Sequence, residues 1–190
     1  MGVFCPRDQN GEELIRQLQR IGCQVQAFWP PPSELSEPFE VVFLAVKPET
    51  INLDLPWTKG DGGTTLLAVV NYENPTIVDA VLRFGATGVV AEPIRSFGVL
   101  SSLILARQLT AQLRQQRRRI EKLESKLLSA RQISEAKAIL MSSKGVSENE
   151  AYAIIREQAM TKRVAIEDIA TAIINANEIL TVVGKPRTVA

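Results

Sequence analysis

A chain of 190 residues, 45% hydrophobic and 23% charged, is long enough for one large core or two small ones. It contains no histidine, which excludes Ser-His-Asp and Cys-His triads, histidine metal sites and a histidine phosphorelay within the chain. The net charge of +1 conceals an uneven distribution: residues 1–106 hold 7 basic and 12 acidic side chains, residues 107–144 hold 10 and 3, and residues 145–190 hold 5 and 6.

No convincing carboxylate or lysine set replaces the missing histidines, so no enzyme is expected, and no catalytic residue, metal ligand or cofactor is assigned. No apolar run reaches membrane-spanning length, and Met1 opens no signal-peptide pattern. Cys5 and Cys23 are too few and too isolated for a disulfide framework, so reduced thiols in the cytoplasm are expected. The basic segment between acidic and neutral stretches suits a polyanion partner. On charge alone, a solvated arginine-rich helix is the favoured reading, since charge runs are usually solvated faces.

In chain order, residues 3–5 read as a short strand and 12–20 as a helix with Leu14, Ile15 and Leu18 inward. Residues 24–28 read as a second strand, which Trp29-Pro30-Pro31-Pro32 must lead out of the sheet. That proline run is either a polyproline recognition patch or a rigid turn. The continuous apolar runs 41–46 and 66–70 have the character of buried parallel strands. Between them, Lys59-Gly60-Asp61-Gly62-Gly63 lacks the Gly-Lys-Ser/Thr ending of a phosphate cradle and reads as a flexible surface loop. A helix at 76–83, a strand at 88–91 and a helix from Ser96 complete a doubly wound α/β pattern.

This order resembles a response-regulator receiver domain over residues 1–100, and the resemblance is informative for what is missing. The phosphoacceptor position, five residues after the acidic Glu40, is Ala45. The acidic pair that would hold Mg²⁺ falls at Cys5 and Pro6, the switch Ser/Thr at Asn71, and the lysine before the last proline at Glu92, before Pro93. A degenerate receiver without phosphoacceptor or metal is expected. Asp8 and Asp54 are the carboxylates that a slipped register would mistake for site residues.

From Ser101 to Lys144 there is neither proline nor glycine, which predicts one long helix. Heptads place Ala106, Leu113, Ile120, Leu127 and Ser134 at a, and Leu109, Gln116, Leu123 and Ala130 at d. Arg117, Arg118 and Arg119 then fall at e, f and g. A dimeric coiled coil over 101–130 is expected, against the alternative of a lone helix packed on its own sheet.

Gly145 stops this helix, and Ser147-x-x-Glu150 reads as a capping box opening the next. Ala136, Leu140, Ala151, Ile155, Ala159, Ile166, Ala170 and Ile173 recur at helical spacing, with small residues that allow close helix packing. A last apolar run covers 166–179, and the tail from Thr181 is read as frayed. The pattern Arg131-x-Ile133-x-x-Ala136-Lys137-x-x-Leu140-Met141, with Gly145, Glu150-Ala151-Tyr152, Arg156, Ala159-Met160 and Ala170, resembles the ANTAR domain, a three-helix RNA-binding module of bacterial transcription antiterminators. It is assigned to residues 131–180.

The whole order resembles the amidase-regulator branch of that family. Ile21-Gly22-Cys23, Trp29-Pro30-Pro31-Pro32 and Glu40-Val41-Val42-Phe43 extend the match outside the C-terminal module. The resemblance implies binding to leader mRNA hairpins, read-through of terminators, a homodimer, and control by a cytoplasmic amide-sensing partner resembling a periplasmic binding protein rather than by phosphorylation. Arg131, Lys137, Lys144, Arg156, Lys162 and Arg163 are the basic RNA candidates, and Gly145 would allow a close backbone approach. Lys137 and Lys144, seven apart, share a helix face. Tyr152, Met141 and Met160 are expected in the core, although Tyr152 could instead stack on a base. Arg156 could instead pair with Glu150 or a neighbour. The alternatives are a DNA-binding regulator, whose reading helix 166–179 would hold Glu167, Asp168 and Glu178 and no cation, and a dimeric adaptor without a nucleic acid.

Overall fold

In the computed structural model, which describes residues 1–35, 37–59 and 63–183, the central strand is β3, Val41–Ala45. Every residue of it is fully buried, because both faces of the sheet are covered. Val41, Phe43 and Ala45 point to one core with Val3, Leu14, Leu18, Leu67, Val99, Leu103 and Ala106. Val42 and Leu44 point to the other, with Phe4, Leu66, Ile77, Ala80, Val81 and Phe84. This two-sided burial is why the strand reads as an unbroken apolar run.

The five-stranded sheet has the order β2-β1-β3-β4-β5, with β1 at Gly2–Phe4, β2 at Gln26–Ala27, β4 at Thr65–Val70 and β5 at Gly88–Ala91. All neighbours are parallel, and one row runs Val3, Phe43, Leu67, Gly88. The crossovers carry α1 (Gln9–Arg20), α2 (Pro56–Lys59) and α3 (Pro75–Arg83). Asp8 caps α1 by accepting from Gly11 N–H at 2.9 Å, and Asn74 caps α3 by accepting from Ile77 N–H at 2.8 Å. Pro75 occupies the first turn of α3, where its missing N–H costs nothing. The receiver-like doubly wound sheet expected from the sequence is therefore present.

Its second strand is shorter than expected, two residues instead of five, and the proline run that follows is packed as a turn against Trp57, whose Nε1 donates to Pro32 O at 2.9 Å. Helix α2 has no apolar periodicity and was not expected. Residues 60–62 of the glycine-rich loop and 184–190 of the tail lie outside the described residues.

Helix α4 runs from Val99 to Lys144, 46 residues. It starts at Val99 rather than Ser96 because Gly98 turns the chain with φ +105°. The chain divides into two compact units, Met1–Arg117 and Arg118–Ala190. In the first, Val99, Leu103 and Ala106 of α4 cover the sheet, and Thr110 Oγ1 meets Thr87 Oγ1 at 3.1 Å. Ala106 is thus fully buried on the sheet and is not free for the seam that the heptads assign it to. Of the other apolar heptad positions, Leu113, Ile120, Leu123 and Leu127 are exposed in the single chain. In the second unit, α5 (Glu148–Lys162) and α6 (Ile166–Val183) pack on the end of α4. Among the described residues no helix is long and apolar enough to cross a membrane.

A Cβ built on Gly88 would lie 3.0 Å from Cβ of Ala106, so small residues on both sides set how closely α4 lies on β5. Ala106→Leu is expected to overpack this contact and destabilise the first unit by about 1–3 kcal/mol, read as a lower urea midpoint with the fold retained.

Candidate nucleic-acid interface

The C-terminal module is built on small residues. Ala136, Leu140, Ala151, Ile155, Ala159, Ile169 and Ala170 form its buried cluster, with Ile133, Val146, Ile166 and Ile173 partly buried around them. Alanines at the crossings bring the helix axes close, and the knot has no large buried side chain to spare. Gly145 ends α4 at φ +67°, its N–H donating to Met141 O at 3.0 Å. The capping box is complete: Ser147 Oγ accepts from Glu150 N–H, and Glu150 Oε2 accepts from Ser147 N–H at 2.8 Å. The Ser147 N–H, and with it the Ser147 hydroxyl donating to the same Oε2 at 2.7 Å, holds the Glu150 carboxyl below its ordinary range. Helix α5 closes on Arg163, which sits at φ 55° in the left-handed region, with Val164 N–H donating to Ala159 O at 3.1 Å. Ala165 N–H donates to Asp168 Oδ2 at 3.2 Å and secures the start of α6.

The buried stripe of α5 is Ala151, Ile155, Ala159. One residue on from each lie Tyr152, Arg156 and Met160, which line a shallow open recess with Ala153, Glu157 and Thr161. Tyr152 is 41% exposed and Met160 69%, so neither is in the core; Met141, at 40%, is not either. This corrects the expectation from the sequence. The stripe of Ala151, Ile155 and Ala159 already fills the narrow space between the helices, and residues one position on are rotated about 100° out of it. The missed signal was this offset.

The basic candidates fall into different environments. Lys137 is only partly exposed and its Nζ pairs with Glu148 Oε1 at 2.5 Å, across the α4–α5 turn. That pairing holds the Glu148 carboxyl below its ordinary range. Arg131 and Lys144 are exposed on α4, Arg156 on α5, and Lys162 and Arg163 at the far end of α5. Among the described residues none of these five is held in an ion pair, so the pairing of Arg156 with Glu150 weighed above is not formed. They do not form one cluster, since the 15 residues of α5 separate Lys144 and Gly145 from Lys162 and Arg163 by about 22 Å. Arg156, beside Tyr152, lies between.

The other place singled out by the sequence is the C-terminal edge of the sheet. Ala45 ends β3 and is fully buried, and Cys5 follows β1. Burial, aided by the nearby Glu92 carboxylate, pushes the Cys5 thiol up to about 12. Sequence reasoning overlooked Lys47, two residues past Ala45. Its ammonium lies 3.3 Å from Asp8 Oδ2 and 3.7 Å from Glu92 Oε1. Burial raises the Glu92 carboxyl, against the pull of Lys47. The Gly11 N–H bond and then Lys47 lower that of Asp8. The stability that Asp8 contributes is present above the ordinary aspartate range and lost as pH falls through its depressed value. Glu92 acts oppositely: its contribution is present below the ordinary glutamate range and lost as pH rises through its raised value. Asp54, the other carboxylate at risk of misassignment, is exposed in the segment after β3.

Comparison with known proteins agrees with both halves. A family model described as AmiR, N-terminal, matches residues 1–107, and one described as ANTAR domain matches residues 121–174. The aliphatic amidase regulator of Pseudomonas aeruginosa is 31% identical over 170 residues, covering 88% of this chain and 87% of that protein. Among solved structures, a response regulator from Burkholderia pseudomallei with a phosphorylated aspartic acid, calcium ion and citrate aligns at a TM-score of 0.42 and 15% identity, covering 87% of this chain and 93% of its own. RcsB from Salmonella enterica serovar Typhimurium, bound to promoter rprA, aligns at 0.41 and 14%, covering 92% and 99%.

The capping box makes a simple test of the module. Ser147→Ala is expected to cost about 1 kcal/mol, read as a lower midpoint of thermal unfolding. Glu150→Gln, which keeps an acceptor for Ser147 N–H, is expected to cost less in the same assay.

Proposed function

The chain belongs to the family of the aliphatic amidase regulator, an AmiR N-terminal domain followed by an ANTAR domain, and from that premise we propose that it is an RNA-binding transcription antitermination regulator. It binds hairpins of a leader mRNA and favours an antiterminator over a terminator, so that polymerase reads through. The observation that carries this reading is the ridge on α5. Tyr152 offers an aromatic face to solvent, Arg156 lies one turn away without an ion-pair partner among the described residues, and Met160 extends the apolar strip. An aromatic face beside a guanidinium is what unstacked loop bases and their phosphates require.

Arg163 supports the same reading. A left-handed cap is the usual place of glycine, and an arginine there carries a backbone cost of about 1 kcal/mol. A side chain kept at that cost serves something other than the fold, and a phosphate contact at the end of α5 is the reading adopted. Lys144, Lys162 and Arg131 add cations around the ridge, and Gly145, with open space where a Cβ would stand, leaves room for a close backbone approach. Lys137 is the weakest of the set, because Glu148 already neutralises it.

Two further elements complete the proposal. The exposed seam Leu113, Ile120, Leu123, Leu127 pairs with that of a second copy in a coiled coil, which brings two modules to a two-hairpin RNA and supplies avidity without new contacts. Control comes from sequestration by a ligand-sensing partner, an amide sensor resembling a periplasmic binding protein, in place of phosphorylation.

The test is retention of a two-hairpin leader RNA against duplex DNA of the same sequence, across a salt series. Binding to the RNA alone is expected. Tyr152→Ala weakens it by about 1–3 kcal/mol, while Lys144→Ala and Arg156→Ala each lower the salt slope by about one. Arg163→Gly is expected to raise thermal stability and weaken RNA binding together. Equal retention of duplex DNA moves the reading to a DNA-binding regulator, and retention of neither nucleic acid to a dimeric adaptor. Leu123→Asp is expected to yield a monomer in sedimentation, with loss of the avidity gain.

A further inference from the structure

A receiver sheet implies a divalent cation and a phosphoryl group at the C-terminal edge of its strands, and the residues here do not fit either. Hard divalent cations take oxygen ligands. After β1 the chain supplies Cys5 and Pro6. The thiol is buried and stays protonated, and the proline offers no side-chain donor. At the end of β3, Ala45 has no side-chain oxygen to accept a phosphoryl group. The side-chain carboxylates that do reach this edge are Asp8, which also caps α1, and Glu92, which is 8% exposed at the end of β5. Both face the Lys47 ammonium, itself only 16% exposed.

The charges are exchanged relative to a working receiver. There, carboxylates follow the first strand and end the third, and a lysine stands at the end of the fifth. Here the lysine follows β3 and the carboxylate stands after β5. The backbone around Lys47 is fixed for this purpose. Thr50 Oγ1 accepts from Lys47 N–H at 2.9 Å and donates to Ala45 O at 2.8 Å. Glu92 leads directly into the connection to α4, where Ile94 N–H donates to Asn10 Oδ1 at 3.1 Å, two residues past Asp8. The loops after β1, β3 and β5 are thereby tied at one point.

We propose that Lys47 is a built-in counter-ion, which takes the role of the receiver's bound cation, holds Asp8 and Glu92 together and closes this edge to divalent metals. The first unit needs neither metal nor phosphoryl group to set its loops. A buried carboxylate requires a positive partner, and a tethered ammonium supplies it at all times, whereas a metal supplies it only when bound. The inference rests on the sheet edge alone and is independent of RNA binding.

The test uses the full chain, titrated with Mn²⁺ and read by the loss of the free-ion electron paramagnetic resonance signal, together with thermal melting in metal-free buffer and in millimolar Mg²⁺. The unsubstituted protein is expected to bind no Mn²⁺ at this edge and to melt at the same temperature in both buffers. Lys47→Met, which removes the charge and leaves the carboxylates, is expected to melt lower without metal, to recover in Mg²⁺, and to bind Mn²⁺ about tenfold more tightly or better. Lys47→Arg keeps a cation and is expected to melt near the original temperature with no metal response, which covers the case in which the methionine variant fails to fold. Mn²⁺ binding at Asp8 and Glu92 in the unsubstituted protein, a metal-responsive arginine variant, or a methionine variant that neither loses stability nor gains metal binding would overturn the proposal.

Discussion

One uninterrupted helix sets the terms for everything else in this chain. Helix α4 has neither proline nor glycine over 46 residues, so its register cannot be reset along the way. Each stretch therefore presents its apolar residues from the same continuous spiral. Val99, Leu103 and Ala106 repeat at the spacing of a helix packed on a sheet. Leu113, Ile120, Leu123 and Leu127 continue the same steps of three, four and seven residues, and in the single chain they are exposed. Ile133, Ala136 and Leu140 return to the close crossings of the small module. The spacing stays the same along the helix; what changes is the size of the side chains and what each stretch meets.

The receiver scaffold survives without receiver chemistry because its stability never depended on that chemistry. The two cores on either face of β3 contain no group from the degenerate site except Cys5 and Ala45, both apolar in this setting. Replacing carboxylates with a thiol and a methyl group at buried positions removes the electrostatic repulsion that a metal would otherwise relieve. The two carboxylates that remain at that edge, Asp8 and Glu92, share one lysine ammonium at 3.3 and 3.7 Å.

The fold was legible where periodicity and burial agree. The unbroken apolar runs at 41–46 and 66–70 could only be strands buried on both faces, and the capping box at Ser147 and Glu150 located the start of α5 to the residue. Legibility failed where context decides. Gln24–Phe28 has strand character throughout, yet pairs over two residues, since the prolines behind it lead the chain away from the sheet. Ala106 obeys the heptad and packs elsewhere, because a small residue is what Gly88 can accept. In the candidate site the basic residues were visible as types, but their availability was not. That Lys137 is neutralised by Glu148 and that Arg156 is not depends on the turn at Gly145, which folds the first residue of α5 back beside α4. Lys47 was overlooked because attention to a receiver falls on the positions the family uses, and this charge sits two residues away from one of them.

The distribution of charge along α5 then bears on how an RNA would lie, if the module is read as proposed. Its first turn holds Glu148 and Glu150, both favourable to the helix dipole and both unfavourable to phosphates. Its last turn and cap hold Lys162 and Arg163 with no acidic side chain beside them in sequence. Along α5 itself the charged side chains run from Glu148 and Glu150 to Lys162 and Arg163, with Tyr152, Arg156 and Glu157 between them. A hairpin that set its phosphates against the start of the helix would face two carboxylates that their hydrogen bonds hold below the ordinary glutamate range. One that set its backbone against the end of the helix would meet free cations and still reach the tyrosine face with its loop. The residues that cap α5 thus also set its charge, carboxylates in the first turn and cations in the last turn and cap.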